Sequence, residues 1–465
     1  MDKEKKEYGL LKVIGIAFLL YVILTWIIPV GSFSSGEFVK GEVTPLGLYG
    51  MFTALSYGFA VFAQYIILIL CIGGFYGVLN KTGSYQKIVS WFSSCNKTKF
   101  LVATIVIFSL ITSIFGETMM VFVLLPFFIA ILSKMGYSKL DSLASTVGGS
   151  LIGVVASICG NMAIYKNYFG LEPKLFIIFN VILLILFIFL LSMFIIGKSK
   201  VSKKNVKNES IPLFVNMKDN KKSWIPLAII LIVVVLLLVL GLFNWYYAFG
   251  IEMFTNLHEK LTSIELFGVN IFNKVFGNFS EIGYFSNYDV SAILVIASVI
   301  IAWIYSIRFS DFIESFKSGV KEILLPGVYV VLASLIFSQV VTASSGNISL
   351  TISNFILGLS NDFNIFTGVL TGIFGSLFYN DYLYFINGLY GIVSLYNSSM
   401  MPFILCVFQS MFGIMMFILP VSITLIGGLK YLNVSYKEWI KYIWKFLVQV
   451  FLISVIGCVI LSMIV

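Results

Sequence analysis

Two carboxylates stand where carboxylates are rarely tolerated. Glu117 and Asp381 fall near the middle of two long apolar stretches, 100–133 and 362–398, whereas nearly every other acidic residue lies between such stretches. An ionised side chain at membrane depth costs on the order of 3 kcal/mol, so it normally faces a cavity and marks the path of an ion or substrate. Each carboxylate could hold a coupling proton or sodium ion, or the cationic part of a substrate. Alternatively, each accepts hydrogen bonds from its own helix start and only holds a turn. Both can be true at once.

The neighbouring residues fit a binding site. Gly116, Glu117 and Thr118 form one tip, and Ser376, Asn380 and Asp381 belong to the other. Beyond the first tip, Gly148-Gly149-Ser150-Leu151-Ile152-Gly153 leads into Ala156-Ser157-Ile158-Cys159-Gly160-Asn161, a small, polar passage inside an apolar span. A helix broken there would offer Ser157, Asn161 and free carbonyls to a ligand. Its counterpart is Leu419-Pro420-Val421-Ser422-Ile423-Thr424, where Pro420 removes a backbone donor and Ser422 and Thr424 supply hydroxyls. Helix starts at such places project unpaired N–H groups and a positive dipole, which suit a carboxylate. Tyr379, Tyr382, Tyr384 and Asn387 could add hydroxyls, an amide and ring faces for an ammonium or guanidinium, or could be interfacial anchors. A zwitterion with a basic side chain would use both kinds of group.

Enzyme chemistry finds no comparable set. The single histidine, His258, lies in an acidic loop and is expected to be solvated, and five cysteines lack ligand spacing, so no metal or cofactor is expected. Gly197-Lys198-Ser199 resembles the end of a phosphate-binding loop, but Ser192 occupies the first glycine position.

The elements that must position these groups are membrane helices. The 465 residues are 59% hydrophobic and 11% charged, with mean hydropathy +1.02, too apolar for a water-soluble core. Spanning runs occur at 10–30, 48–79, 142–165, 175–196, 224–247, 284–305, 323–341, 402–429 and 446–465. That makes about nine spans, with the stretches at 100–133 and 362–398 reading as re-entrant helical hairpins. The net charge of +9 is not a nucleic-acid footprint, because about 25 of the 30 Lys and Arg fall on one face when the N-terminus is cytoplasmic.

An internal repeat organises the chain. An offset of 264, which is 381 minus 117, superposes Glu117 on Asp381, Gly149 on Gly413 and Lys166 on Lys430, and brings Gly83 near Gly346. The chain therefore reads as a first repeat over 1–196, a flexible cytoplasmic linker over 197–223, a central span over 224–250 and a second repeat over 251–465. An odd connector inverts the second repeat relative to the first. The fold class is all-α, polytopic, with two inverted repeats.

The chain resembles the YfcC-like family of basic amino acid antiporters, related to the anaerobic C4-dicarboxylate carriers of the ion transporter superfamily. The resemblance lies in Gly73-Gly74-Phe75-Tyr76-Gly77-Val78 with Thr82-Gly83, Phe115-Gly116-Glu117, Pro126, Gly136-Tyr137, Pro420-Val421-Ser422 and 434–441. It implies paired hairpins, a scaffold that often dimerises, and elevator-like movement of the hairpin domain. It also implies a multi-pass plasma-membrane transporter of amino acids, with arginine/ornithine exchange as the leading expectation. A proton- or sodium-coupled carboxylate symporter is the alternative.

Overall fold

The computed structural model describes residues 2–34, 36–116, 119–171, 173–201, 211–215, 223–266, 269–277, 279–343 and 346–465. Long runs of Leu, Ile, Val and Phe satisfy their backbone groups within helices, as a lipid environment requires. Among the described residues, eight helices are long and apolar enough to cross a membrane, or nine if one bent pair counts as a span.

The first half begins with α1 (Asp2–Ile27) and a small hairpin of β1 (Gly31–Ser34) and β2 (Glu37–Lys40). It continues through α2 (Leu48–Val61), α3 (Ala63–Lys81) and the short α4 (Ser84–Ser93) to a helical pair, α5 (Lys97–Phe115) and α6 (Met120–Lys134). Next, α7 (Lys139–Leu143) passes through a π-helical turn, Ala144–Gly148, into α8 (Gly149–Val155); after a break come α9 (Met162–Phe169) and α10 (Pro173–Val201).

A connecting helix, α11 (Ile225–Leu242), precedes a loop region of α12 (Trp245–Phe249), α13 (Met253–Thr262), β3 (Glu265–Leu266), β4 (Val269–Asn270) and α14 (Ile271–Phe276). The second half then repeats the order of the first. It comprises α15 (Asn287–Ile304), α16 (Phe309–Ala333), α17 (Leu335–Thr342), α18 (Ile348–Leu357), the pair α19 (Ile365–Gly375) and α20 (Tyr382–Val393), the broken α21 (Met401–Met415) and α22 (Ile423–Leu432), and α23 (Tyr436–Ser462). The landmarks brought together by the sequence offset fall at comparable places in the element order. Gly83 and Gly346 both take positive φ just before α4 and α18, and Lys166 and Lys430 lie on α9 and α22.

Elements of the two halves also meet each other. Where α3 crosses α16, glycines remove the side-chain layer: a Cβ on Gly319 would overlap the Gly73 carbonyl and lie 3.0 Å from the Gly77 amide. Where α8 meets α21, a Cβ on Gly413 would lie 2.5 Å from the Val155 amide. Small residues at these crossings let backbones approach, the usual device of membrane helices.

The two helical pairs differ in length. α19 and α20 have 11 and 12 residues, which at 1.5 Å per residue gives about 16–18 Å, well short of a ~30 Å hydrocarbon core. Neither arm can cross alone. α5 has 19 residues and is long enough to do so.

Three expectations need correction. The run at 48–79 is two helices, separated at Phe62, and the run at 323–341 is part of a longer helix that begins at Phe309 and bends by 45° at Ser334. The linker is not simply flexible either. α10 continues to Val201, and Ile211–Val215 docks against the protein with Leu213 and Phe214 buried. Asn80 Nδ2 donates to the Leu213 carbonyl at 2.9 Å, Gln86 Nε2 to the Val215 carbonyl at 2.7 Å and Tyr431 Oη to the Pro212 carbonyl at 2.9 Å.

Candidate functional site

A cavity of about 650 Å³, including the part open to solvent, lies between the helical pairs and the broken helices. Gly116, Ser157, Asn161, Asn380, Asp381, Ser422 and Thr424 line it, so most of the residues picked from the sequence converge on one place from both halves. Ser376 is fully buried behind the wall, its hydroxyl donating to the Ile373 carbonyl at 2.7 Å. Glu117 and Thr118 lie outside the described residues; Gly116 and Met119, which flank them, line the cavity.

The first break is cradled by α5. After Val155 the chain leaves the helix, and the N–H groups of Ile158, Cys159 and Gly160 all donate to the Ser113 carbonyl at 2.9, 3.1 and 3.3 Å. Ser113 Oγ donates to the Ala156 carbonyl at 2.8 Å. The turn at Gly116, with φ +72°, lets the chain pass beside Gly160, where a Cβ would lie 2.5 Å from the Gly116 Cα. Both glycines are required by that approach.

Helix α21 holds the same break from the other side. Gln409 Nε2 donates to the Ser157 carbonyl and to Asn180 Oδ1, both at 3.1 Å, and Tyr165 Oη donates to Gln409 Oε1 at 2.8 Å. Gln409, Asn180 and Tyr165 are not among the residues that the sequence marks out, although single polar residues within apolar spans, such as Asn180 and Gln409, are a recognisable signal.

The second break, Met416–Ser422, is held by its own half. Trp439 Nε1 donates to the Phe417 carbonyl at 2.8 Å, and Tyr436 Oη donates to the Ile418 carbonyl. Ser422 then caps α22, accepting from the Leu425 amide at 3.4 Å. At the second tip, Asp381 caps α20 by accepting the Leu383 amide at 2.7 Å, and Asn380 Nδ2 donates to Ser334 Oγ at the bend between α16 and α17. The turn-holding explanation thus applies to Asp381, while the residue still lines the cavity.

Tyr382 also lines the cavity, but the aromatic cluster at this tip divides. Tyr379 and Tyr382 are buried, whereas Tyr384 and Asn387 are exposed. His258 is half-buried against the Phe279 ring rather than solvated.

Electrostatically the wall is built from helix beginnings. Met119 precedes α6, Asn161 precedes α9, Asp381 to Leu383 open α20, and Ser422 to Thr424 open α22. Each end carries a partial positive charge of about half a unit. Among the described lining residues there is no Lys, Arg or His, and Asp381 is the one carboxylate. The arrangement can hold an anionic group on backbone dipoles while offering one acceptor for a cation or proton.

The profile of the C4-dicarboxylate anaerobic carriers (DcuC) matches residues 9–378. The match stops at Phe378, so Asn380, Asp381, Ser422 and Thr424 lie beyond it. Among solved structures, the YdaH transporter of Alcanivorax borkumensis, described as having an unusual topology, is similar at 12% identity and a TM-score of 0.39, with 98% of each chain covered. No curated protein matches. The profile match supports the carrier side of the resemblance seen in the sequence; nothing in these likenesses supports arginine/ornithine exchange.

Proposed function

The chain belongs to the C4-dicarboxylate anaerobic carrier family, and from that premise we propose that this multi-pass membrane transporter carries small dicarboxylates by proton- or sodium-coupled symport. The observation that carries the reading is a cavity walled by helix N-termini from both halves without a basic side chain among its described lining residues. Backbone dipoles recognise carboxylates, and the cation needed to offset a dianion enters as the coupling ion, with Asp381 as its partner. Gly116, Ser157, Asn161, Asn380, Ser422 and Thr424 complete the site, with Glu117 and Thr118 beside Gly116 in the chain. In this reading the halves are inverted repeats, the hairpins and broken helices move as an elevator against a dimeric scaffold, and the N-terminus is cytoplasmic. The matched element order and the lysine distribution support that arrangement.

Exchange of arginine for ornithine is the second reading, favoured by Asp381 as the lone charge among the described lining residues. Proteoliposomes separate the two. Labelled succinate should enter when an inward proton or sodium gradient is imposed, and unlabelled fumarate should compete. Entry of arginine only into ornithine-loaded vesicles, with no succinate entry under either gradient, would replace the carboxylate reading with exchange.

A further inference from the structure

Gln409 is a primary amide on α21 in the run Phe403-Ile404-Leu405-Cys406-Val407-Phe408-Gln409, and it is fully buried. An amide in such surroundings is tolerated only when its donors and acceptor are used. All three of its hydrogen bonds reach into the first half, each to a different place: the break at Ser157, helix α9 at Tyr165 and helix α10 at Asn180. Two of these contacts bracket the break. Ser157 stands near its start and Tyr165 one turn beyond Asn161, where α9 begins. The same face of α21 carries Gly413 against Val155, and Ser410 Oγ donates to the Val155 carbonyl at 3.4 Å.

We infer that Gln409 is a positioning residue for the cavity, through which the second half of the chain sets the direction of the first half's broken helix. It does not line the cavity. It acts on groups that do, Ser157 and Asn161, by fixing the carbonyl of the one and the helix that the other begins. Ser113 grips the break from α5, so the break is clamped between its own hairpin and the opposite half. Replacing the amide with an apolar group of similar size would leave the Ser157 carbonyl, the Tyr165 hydroxyl and Asn180 Oδ1 short of a partner, and the break would relax towards whatever else can satisfy them. The contribution of this role to transport rests on the carboxylate reading above; the clamp itself does not.

The test uses one readout for each. In the full-length protein with Cys71→Ser and Cys95→Ser, the half-buried Cys159 within the break becomes the reporter, since Cys406 and Cys458 are buried. Gln409→Leu should speed maleimide labelling of Cys159 by about tenfold, the change expected when a contact network of this size is lost. In proteoliposomes the same substitution should raise the KM for succinate by a similar factor, with maximal rate changed by less than about threefold. Tyr165→Phe, which keeps the ring and removes one bond to Gln409, should give smaller shifts in the same directions, and the double variant should be no worse than Gln409→Leu alone. If Gln409→Leu does not fold, Tyr165→Phe carries the labelling test by itself. Unchanged Cys159 labelling in a folded variant overturns the clamp. Faster labelling with an unchanged KM confines Gln409 to a structural role and overturns its positioning of the site. Faster labelling in a protein whose unsubstituted form carries no succinate supports the clamp and counts against the carboxylate reading.

Discussion

The two broken helices perform the same geometric task with different supports. The first break contains no proline: it stays open because Ser113 gathers three amides onto one carbonyl and because Gln409 reaches across from the other half. The second contains Pro420, which cannot continue a helix, and its loose carbonyls are taken by Tyr436 and Trp439 of α23, the last helix of the same half. One break is thus held by tertiary contacts that join the halves, the other by covalent constraint and near neighbours. The contrast teaches that similar breaks in the two halves need not be matched in what stabilises them.

The largest test of this contrast is Trp439→Ala. It removes a fully buried indole and its bond to the second break, and should cost about 3–5 kcal/mol, read as loss of folded protein in detergent thermal denaturation. Trp439→Phe isolates the bond: Phe417 loses its donor, and about 1–3 kcal/mol should follow. Gly160→Ala probes the first break by forcing a methyl against Gly116. Overpacking there should cost about 1–3 kcal/mol and accelerate cysteine labelling at Cys159, whereas the same measurement on Trp439→Phe should leave Cys159 unaffected. Comparable labelling in the two variants would mean that the breaks are not independently supported.

A smaller structural effect with a large functional one is expected from Asp381→Asn. Asparagine caps a helix about as well as aspartate, so stability should move by only a few tenths of a kcal/mol. Coupled succinate uptake should fall by tenfold or more, as loss of a charged partner worth ~1.5 kcal/mol implies. Uptake that keeps its rate and ion dependence would remove Asp381 from the mechanism. Ser422→Ala probes the cap at the end of the second break. Its capping bond is long, 3.4 Å, so about 0.5 kcal/mol is expected from the thermal midpoint.

What could be read from the sequence follows the same division. Local signals were legible: Pro420, the Gly-Asn end of the first break, and Asp381, a carboxylate stranded in an apolar run, all mark places where the structure leaves regular helix. The helical pairs were visible because polar residues interrupt otherwise continuous hydrophobicity. Less visible were features created by long-range contact. Gln409 meets Ser157 and Tyr165 only after more than half the chain has folded between them, and no spacing rule links them. The separation at Phe62 and the bend at Ser334 involve neither glycine nor proline, so hydropathy alone reads through both. Tyr384 and Asn387 looked equivalent to Tyr379 and Tyr382 until helical phase put them outside.

The anchored pentapeptide Ile211–Val215 bears on how the polypeptide could be divided. Its hydrogen bonds reach Asn80 and Gln86 before it in the chain and Tyr431 far after it, so it is shared property of both halves. Severing the backbone on its C-terminal side would leave a fragment whose tail already fits a groove partly formed by the other piece. Co-expressed fragments parted there carry a built-in mating segment, whereas fragments lacking it would have to find one another through the membrane helices alone.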